Sequence, residues 1–366
     1  MTELPALRDR LKGALVMAPM TKGSNLPFRR LCAEYGARVM MSEMAVARRL
    51  KQKRASEFAL IRRFDGEDCF GVQLAGRKAD EMAWAAALVE SRGADIIDVN
   101  LGCPIDHFTR MGLGAALARE PNRVRKIVEA MKRAVVRVPV TVKIRMGWND
   151  RDLNYMKVAQ AALDGGADAI FVHGRTRDAR YRLEANWAVI GEVAAAFPVP
   201  VIGNGDLLFP HEVTRAFATT ACTAVMSARG VLIKPWLFRE VTDGYLDMSG
   251  EARLAMYRRY VELGLAHWGD DEHGRTRLRE FLLWHLGWWR RYVPQRPDGS
   301  WPTMQEREAS MGARTPLEVL LARGDDPAIE WLADRLMARD EVAPAEAPEP
   351  TAGATTPDRE AIDVEG

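Results

Sequence analysis

Cysteine is scarce: the 366 residues hold four, Cys32, Cys69, Cys103 and Cys222, scattered singly. None pairs at C-x-x-C spacing, which excludes a disulfide scaffold and a sequence-evident zinc site and suits a reducing compartment. No apolar run approaches the roughly 18 residues that span a bilayer. The opening stretch MTELPALRDRLKG lacks the basic, then apolar, then small pattern of an export signal. The expectation is a cytoplasmic protein that uses no membrane, and nothing in the chain implies a stable protein partner. No G-x-G-x-x-G follows the first strand pattern, which disfavours a Rossmann dinucleotide domain.

Hydrophobic residues make up 48% and charged residues 28% of the chain, an ordinary globular balance that excludes wholesale disorder. The net charge of +2 is unevenly placed. From Asp340 to Gly366 eight acids face one base, Arg359, so residues 1–339 carry +9. A body of that charge suits a polyanionic partner, because each phosphate contact releases counterions. The tail 340–366 is rich in Pro, Ala and acid, has too few large apolar groups to fold, and is expected to be disordered.

Short apolar runs alternate with amphipathic stretches over the first 240 residues. Eight candidate strands fall at 14–18, 39–43, 69–74, 95–100, 140–145, 169–173, 200–203 and 223–227. Runs such as AIFVHG are apolar on both faces, as parallel strands covered by helices must be. Eight such βα units predict a (β/α)8 TIM barrel over residues 1–243. Strand patterns then stop, and residues 244–339 predict a smaller all-helical domain rich in Trp and Arg.

In a barrel of this kind the chemistry sits at the C-terminal ends of the strands. Those ends read Ala18-Pro19-Met20-Thr21, Glu43, Gln73, Asn100 with Gly102-Cys103-Pro104 beyond, Lys143 and Arg145, His173-Gly174-Arg175, Asn204-Gly205-Asp206 and Ala228-Arg229-Gly230. The last two, GNGD and SARG, suit a phosphate, since glycine lets backbone N–H groups approach an anion and Arg229 adds charge. Lys143 within VTVKIR points inward and needs a polar partner, either a ligand or one of Glu43 and Asp98. Gln73 and Asn100 offer amide donors and acceptors. Cys103, in a turn on the catalytic face, can serve as nucleophile or general acid, whereas Cys32, Cys69 and Cys222 read as small core residues. The loop from His107 to Gly114 reads as a lid. Trp288 and Trp289 suit either base stacking or core packing.

In order along the chain, APMTKGSNLPFRR (18–30), GVQLAG (71–76), DVNLGCPID (98–106), TVKIRMG (141–147), FVHGRTRDARY (171–181), GNGD (203–206) and ARGVLIKPWLF (228–238) resemble the tRNA-dihydrouridine synthase family. LAHWG (265–269) and RRYVP (290–294) extend the resemblance into the helical segment, and the wording is most similar to the subfamily acting on the tRNA variable loop. Zinc fingers, frequent in that subfamily, are not among these residues.

The resemblance implies an FMN enzyme, reduced by NADPH or NADH, that converts uridine in tRNA to 5,6-dihydrouridine. It implies that Pro19, Met20 and Thr21 lie against the flavin and that Gln73 and Lys143 bond its ring. His173 would contact the cofactor, and Asn204, Gly205, Asp206, Ala228 and Arg229 would hold its phosphate. Asn100 and Arg175 would line the uridine site, with Cys103 as proton donor. Thr21, Lys22 and Asn25 depart from the commoner A-P-M-A-G-x-T-D form of the first motif. The helical domain would hold tRNA, its arginines 253, 258, 259, 275, 277, 279, 290, 291 and 296 meeting phosphates. Two other readings stand beside it: an FMN barrel acting on a free pyrimidine, and a non-catalytic tRNA-binding protein.

Overall fold

The computed structural model describes residues 7–304 and 312–350. Its strands are β1 (Leu15–Met17), β2 (Val39–Met41), β3 (Ala45–Val46), β4 (Cys69–Ala75), β5 (Ile96–Leu101), β6 (Val140–Arg145), β7 (Ala169–His173), β8 (Val201–Asn204) and β9 (Ala224–Ser227). All nine pair in parallel, and β9 returns to β1, so the sheet closes on itself. β2 and β3 are two pieces of one stave, both paired with β4. The expected second strand thus breaks at Ser42, where the Gln73 N–H donates to Ser42 Oγ at 3.2 Å in place of a backbone carbonyl. With β2 and β3 counted as one, the barrel has the eight staves of the (β/α)8 fold that the sequence predicts.

Register then decides which side chains meet. Gln73 lies beside Asp98 and Asp98 beside Thr141; Asn100 lies beside Lys143; Arg145 lies beside His173 and His173 beside Asn204. Because alternate residues share a face, each strand contributes a ladder of polar groups rather than an isolated one. All of them are buried.

The helices Gly250–Trp268, Glu272–Trp289, Pro316–Leu321 and Asp326–Ala338 follow the barrel. They share one continuous hydrophobic cluster with the β1 and β9 side of it. Asn25 ties the two regions together. Its Oδ1 caps helix Leu26–Glu34 by accepting from Phe28 N at 2.9 Å, while its Nδ2 lies 3.0 Å from His285 Nε2. His285 stacks on Phe28 at 4.5 Å. Within the barrel region, the Lys234–Glu240 ion pair is 2.6 Å long and wholly buried, with Lys234 Nζ 4.2 Å above the Phe209 ring, and Glu240 Oε1 also accepts from Leu246 N at 3.2 Å. Trp288 and Trp289 are core residues, Trp289 stacking on Tyr257 at 4.6 Å.

Of the residues expected in a disordered tail, 340–350 are described and lie against the helices. Val342 is buried, Pro344–Glu346 form a 3-10 turn, and Pro348 O accepts from Arg323. Residues 351–366 fall outside the described residues. No helix among those described is long and apolar enough to cross a membrane.

Candidate active site

One end of the barrel mouth is an amide relay. The Cys103 backbone N–H can only donate, and it donates to Asn100 Oδ1 at 2.9 Å. That turns Asn100 Nδ2 toward Gln73 Oε1, 2.7 Å away. Gln73 Nε2 must then donate to Asp98 Oδ2, at 2.8 Å, and Thr141 Oγ1 donates to the other carboxylate oxygen at 2.7 Å. The direction of every bond follows from one backbone amide, and each side-chain NH2 keeps a second N–H for a ligand. Burial pushes the Asp98 carboxyl up to about 6, against the opposing pull of Gln73, Thr141 and the Lys143 ammonium. Of the two carboxylates that the sequence offers Lys143, Asp98 is thus the one within its field.

Cys103 is 1% exposed and packs with Met44, Val46, Ala75 and Leu113, with Ile105 and Phe108 alongside. Its carbonyl accepts from Ala115 N at 3.0 Å. Gly114 adopts φ +60, and a Cβ there would stand 2.7 Å from Cys103 O, so only glycine lets the loop close this tightly. Arg145, buried, holds the same loop from the other side through Nε to Gly102 O at 2.8 Å and Nη1 to Thr176 O at 3.1 Å. The stretch expected to be a lid is a short helix, Asp106–Arg110, continued by a 3-10 turn, Gly114–Arg119.

Glu43, at the break in the second stave, accepts from Lys22 N at 2.7 Å. Burial raises its carboxyl to about 7, although Lys22, Arg29 and Arg277 all oppose the rise. Pro19, Met20 and Thr21 lie on the turn after β1, shaped by Ser24 Oγ, which accepts from Met20 N and donates to Ala18 O.

The opposite end is ionic. Arg175 Nη2 bonds both oxygens of Asp206 at 2.7 and 2.6 Å, and Arg229 Nη2 reaches Oδ1 at 3.0 Å. Burial works to raise Asp206, but the two guanidiniums outweigh it and hold the carboxyl below its ordinary value. Arg175 Nη1 lies 3.3 Å from His173 Nε2. A guanidinium only donates, so that ring nitrogen is the acceptor and the proton sits on Nδ1. Asn204 Nδ2 donates to Met226 O at 2.9 Å, and its buried Oδ1 has no hydrogen-bond donor among the described residues. These residues line one small cleft with Gly205, Ala228 and Gly230. Gly230 is required there, because a Cβ would stand 1.8 Å from Leu207 O.

The structure therefore gathers the expected residues into two groups in one mouth. It puts Arg175 with the ionic group, bonded to Leu183 O, His173 and Asp206, rather than with Asn100. Sequence reasoning missed Arg145 as the brace of the cysteine loop, Tyr181 beneath the Arg229 guanidinium at 4.2 Å, and Met304. Met304 comes from the helical segment and lines the ionic cleft; no local pattern in the sequence marks it.

The arginines assigned to RNA phosphates on the helical segment are largely engaged internally. Arg253 and Arg291 are buried. Arg259 pairs with Glu34 and Glu262, Arg275 with Asp270, Arg277 with Glu280 and Arg279 with Asp334. The helices Leu26–Glu34 and Asp326–Ala338 supply two of those acids, Glu34 and Asp334, from distant sequence.

The family profile described as dihydrouridine synthase matches residues 16–283. A human protein, "tRNA-dihydrouridine(47) synthase [NAD(P)(+)]-like", is 40% identical over 334 residues, covering 90% of this chain and 51% of that protein. The Malassezia globosa "tRNA-dihydrouridine(47) synthase [NAD(P)(+)]" is 36% identical over 345 residues, covering 87% and 45%. The chain thus spans about half the length of these relatives. Among solved structures, histamine dehydrogenase from Rhizobium sp. 4-9 is similar at TM-score 0.50 and 13% identity, over 69% of this chain and 48% of that one. A 2-naphthoyl-CoA reductase is similar at TM-score 0.51 and 12% identity, over 63% and 50%. Both are likenesses of fold. Motifs, barrel and matched span agree: the chain belongs to the dihydrouridine synthase family.

Proposed function

We propose that this chain reduces uridine in tRNA to 5,6-dihydrouridine with FMN as its cofactor and Cys103 as its proton donor. The observation that carries the proposal is the pairing, in one barrel mouth, of an anion-holding end with a relay that ends on the cysteine backbone. The ionic end suits FMN on three counts. Two guanidiniums against one carboxylate leave a net positive charge for a phosphate, Gly205 and Gly230 keep the backbone bare, and the Asn204 Oδ1 acceptor suits a ribityl hydroxyl. When bound, FMN reduced by NADPH or NADH supplies a hydride to C6 of the uracil.

The chain's own residues do the rest. Arg229 and the backbone of Asn204, Gly205, Asp206 and Ala228 hold the phosphate, and Arg175 fixes Asp206 and His173 in place. The spare amide hydrogens of Gln73 and Asn100 orient the rings, and Lys143 places positive charge beside them. Pro19, Met20 and Thr21 form the wall after β1. Cys103 Sγ gives its proton to C5 and is reprotonated from solvent, completing addition of hydride and proton across the double bond. The target base must leave its stack, at a few kcal/mol, which contacts to the RNA backbone offset. The names of the relatives specify position 47, and we extend that position to this chain.

The test is the visible spectrum of the purified protein, followed by dihydrouridine formation on unmodified tRNA transcript and on free uracil. Flavin bands released as FMN, with product in tRNA alone, are expected. Equal turnover of free uracil favours a free-pyrimidine reductase. Colourless protein that binds tRNA without reducing it favours a non-catalytic binder.

A further inference from the structure

Five of the seven residues 48–54 (RRLKQKR) are basic and none is acidic. Residues of like charge this close on helix Ala47–Lys51 and the turn beyond it repel one another and weaken the fold locally. Arg49 is relieved by Glu57 at 3.3 Å, and Lys51 loosely by Asp80 at 3.9 Å. Arg48, Lys53 and Arg54 are exposed and have no acid partner among the described residues. The same holds for Arg110, at the end of helix Asp106–Arg110. On the helical segment several of the exposed arginines, Arg259, Arg275 and Arg279 among them, are paired with acids.

Position makes the contrast useful. Val46 and Phe108 belong to the small cluster around Cys103, and the basic run starts two residues after Val46, the C-terminal residue of β3. Arg110 lies two residues after Phe108. The unneutralised charges therefore lie on two segments that meet at the cysteine pocket through Val46 and Phe108.

We infer that Arg48, Lys53, Arg54 and Arg110 form a track on the barrel rim for the RNA phosphates flanking the target base. The inference rests on the RNA substrate proposed above and names where that substrate's backbone runs. Phosphate contacts there would hold the strand on either side of a base drawn in toward Cys103, and they carry no sequence preference of their own.

The experiment measures binding of unmodified tRNA transcript to the flavin-loaded full chain across a salt series, for the parent and for a triple variant, Arg48→Ala with Lys53→Ala and Arg54→Ala. Loss of three phosphate contacts lowers the slope of log K against log salt by about 2 to 3, with flavin content unchanged and a thermal midpoint no lower than the parent's. A paired control, Arg259→Ala with Arg279→Ala, is expected to change the slope by less than one contact's worth. If the parent binds with a steep slope and the triple variant keeps it, the rim track is wrong while the RNA reading stands. That is also the result expected were the rim to serve an acidic protein. If the parent shows no salt-dependent tRNA binding, the RNA reading fails and takes the track with it.

Discussion

Asp206 and Asp98 are both enclosed in the barrel mouth, three staves apart, and are driven in opposite directions. Asp206 faces two guanidiniums and a backbone N–H from Ala185, which hold its carboxyl below the ordinary value. Asp98 faces neutral donors, Gln73 and Thr141, with a single ammonium nearby, and burial raises it to about 6. Desolvation acts on both; two guanidiniums bonded directly to the Asp206 carboxylate reverse its effect there, and the ammonium near Asp98 does not. The difference separates a permanently charged end, fit to hold an anion, from an end of nearly neutral, oriented dipoles where a proton can move at modest cost. Glu43, raised to about 7, falls on the second side.

The largest expected effect tests whether the two ends have separate jobs. Cys103→Ala should lower dihydrouridine formation by about 100- to 10,000-fold, the usual worth of a positioned general acid, while flavin content stays parental. Parental turnover in the variant would remove Cys103 as proton donor; lost flavin would show that the ends are not separable. Asp206→Asn strikes the other end. It leaves Arg175 and Arg229 facing each other without a carboxylate and should cost about 3 kcal/mol of stability at pH 7. Because the folded pKa is lowered, the contribution is present above the ordinary carboxylate value and is lost as pH falls through the folded one. Urea unfolding at pH 7 and pH 3 should therefore show the gap between parent and variant closing in acid. A gap of the same size at both pH values would mean that the ion pairs do not set it.

Much of this arrangement was legible in the sequence. β-Branched runs with turns between them mark the barrel, and the residues at strand ends mark the mouth, because the fold itself places those ends together. Lys143 and Cys103 stood out for a local reason: each is chemically out of place in its surroundings. The break between β2 and β3 was hidden, since the side chain of Ser42 replaces a ladder acceptor and no composition rule signals that. The bracing role of Arg145 was hidden because its two carbonyl partners, on Gly102 and Thr176, come from different loops. The pairing of the helical segment's arginines was hidden for the same reason. Whether Arg259 or Arg279 is available depends on Glu34 and Asp334, residues far away in sequence.

A smaller effect sharpens the comparison at its neutral end. Asp98 ionises at about 6 in the folded chain against an ordinary value of 3.8. A carboxyl whose folded pKa is raised supports the fold while protonated. That support is complete below about pH 4 and is lost as pH rises through about 6, at a cost on the order of 3 kcal/mol. Asp98→Asn keeps an acceptor for Gln73 and removes the ionisation, while Thr141 can rotate its hydroxyl to accept from the new amide. The variant should therefore gain stability relative to the parent between pH 4 and pH 7, read as thermal midpoints at the two values, and keep the relay that orients Asn100 toward Cys103. If the difference between the two proteins is the same at both pH values, Asp98 is ionised throughout, and the Lys143 ammonium rather than burial governs it. The contrast with Asp206 would then vanish, with both ends of the mouth carrying fixed charge.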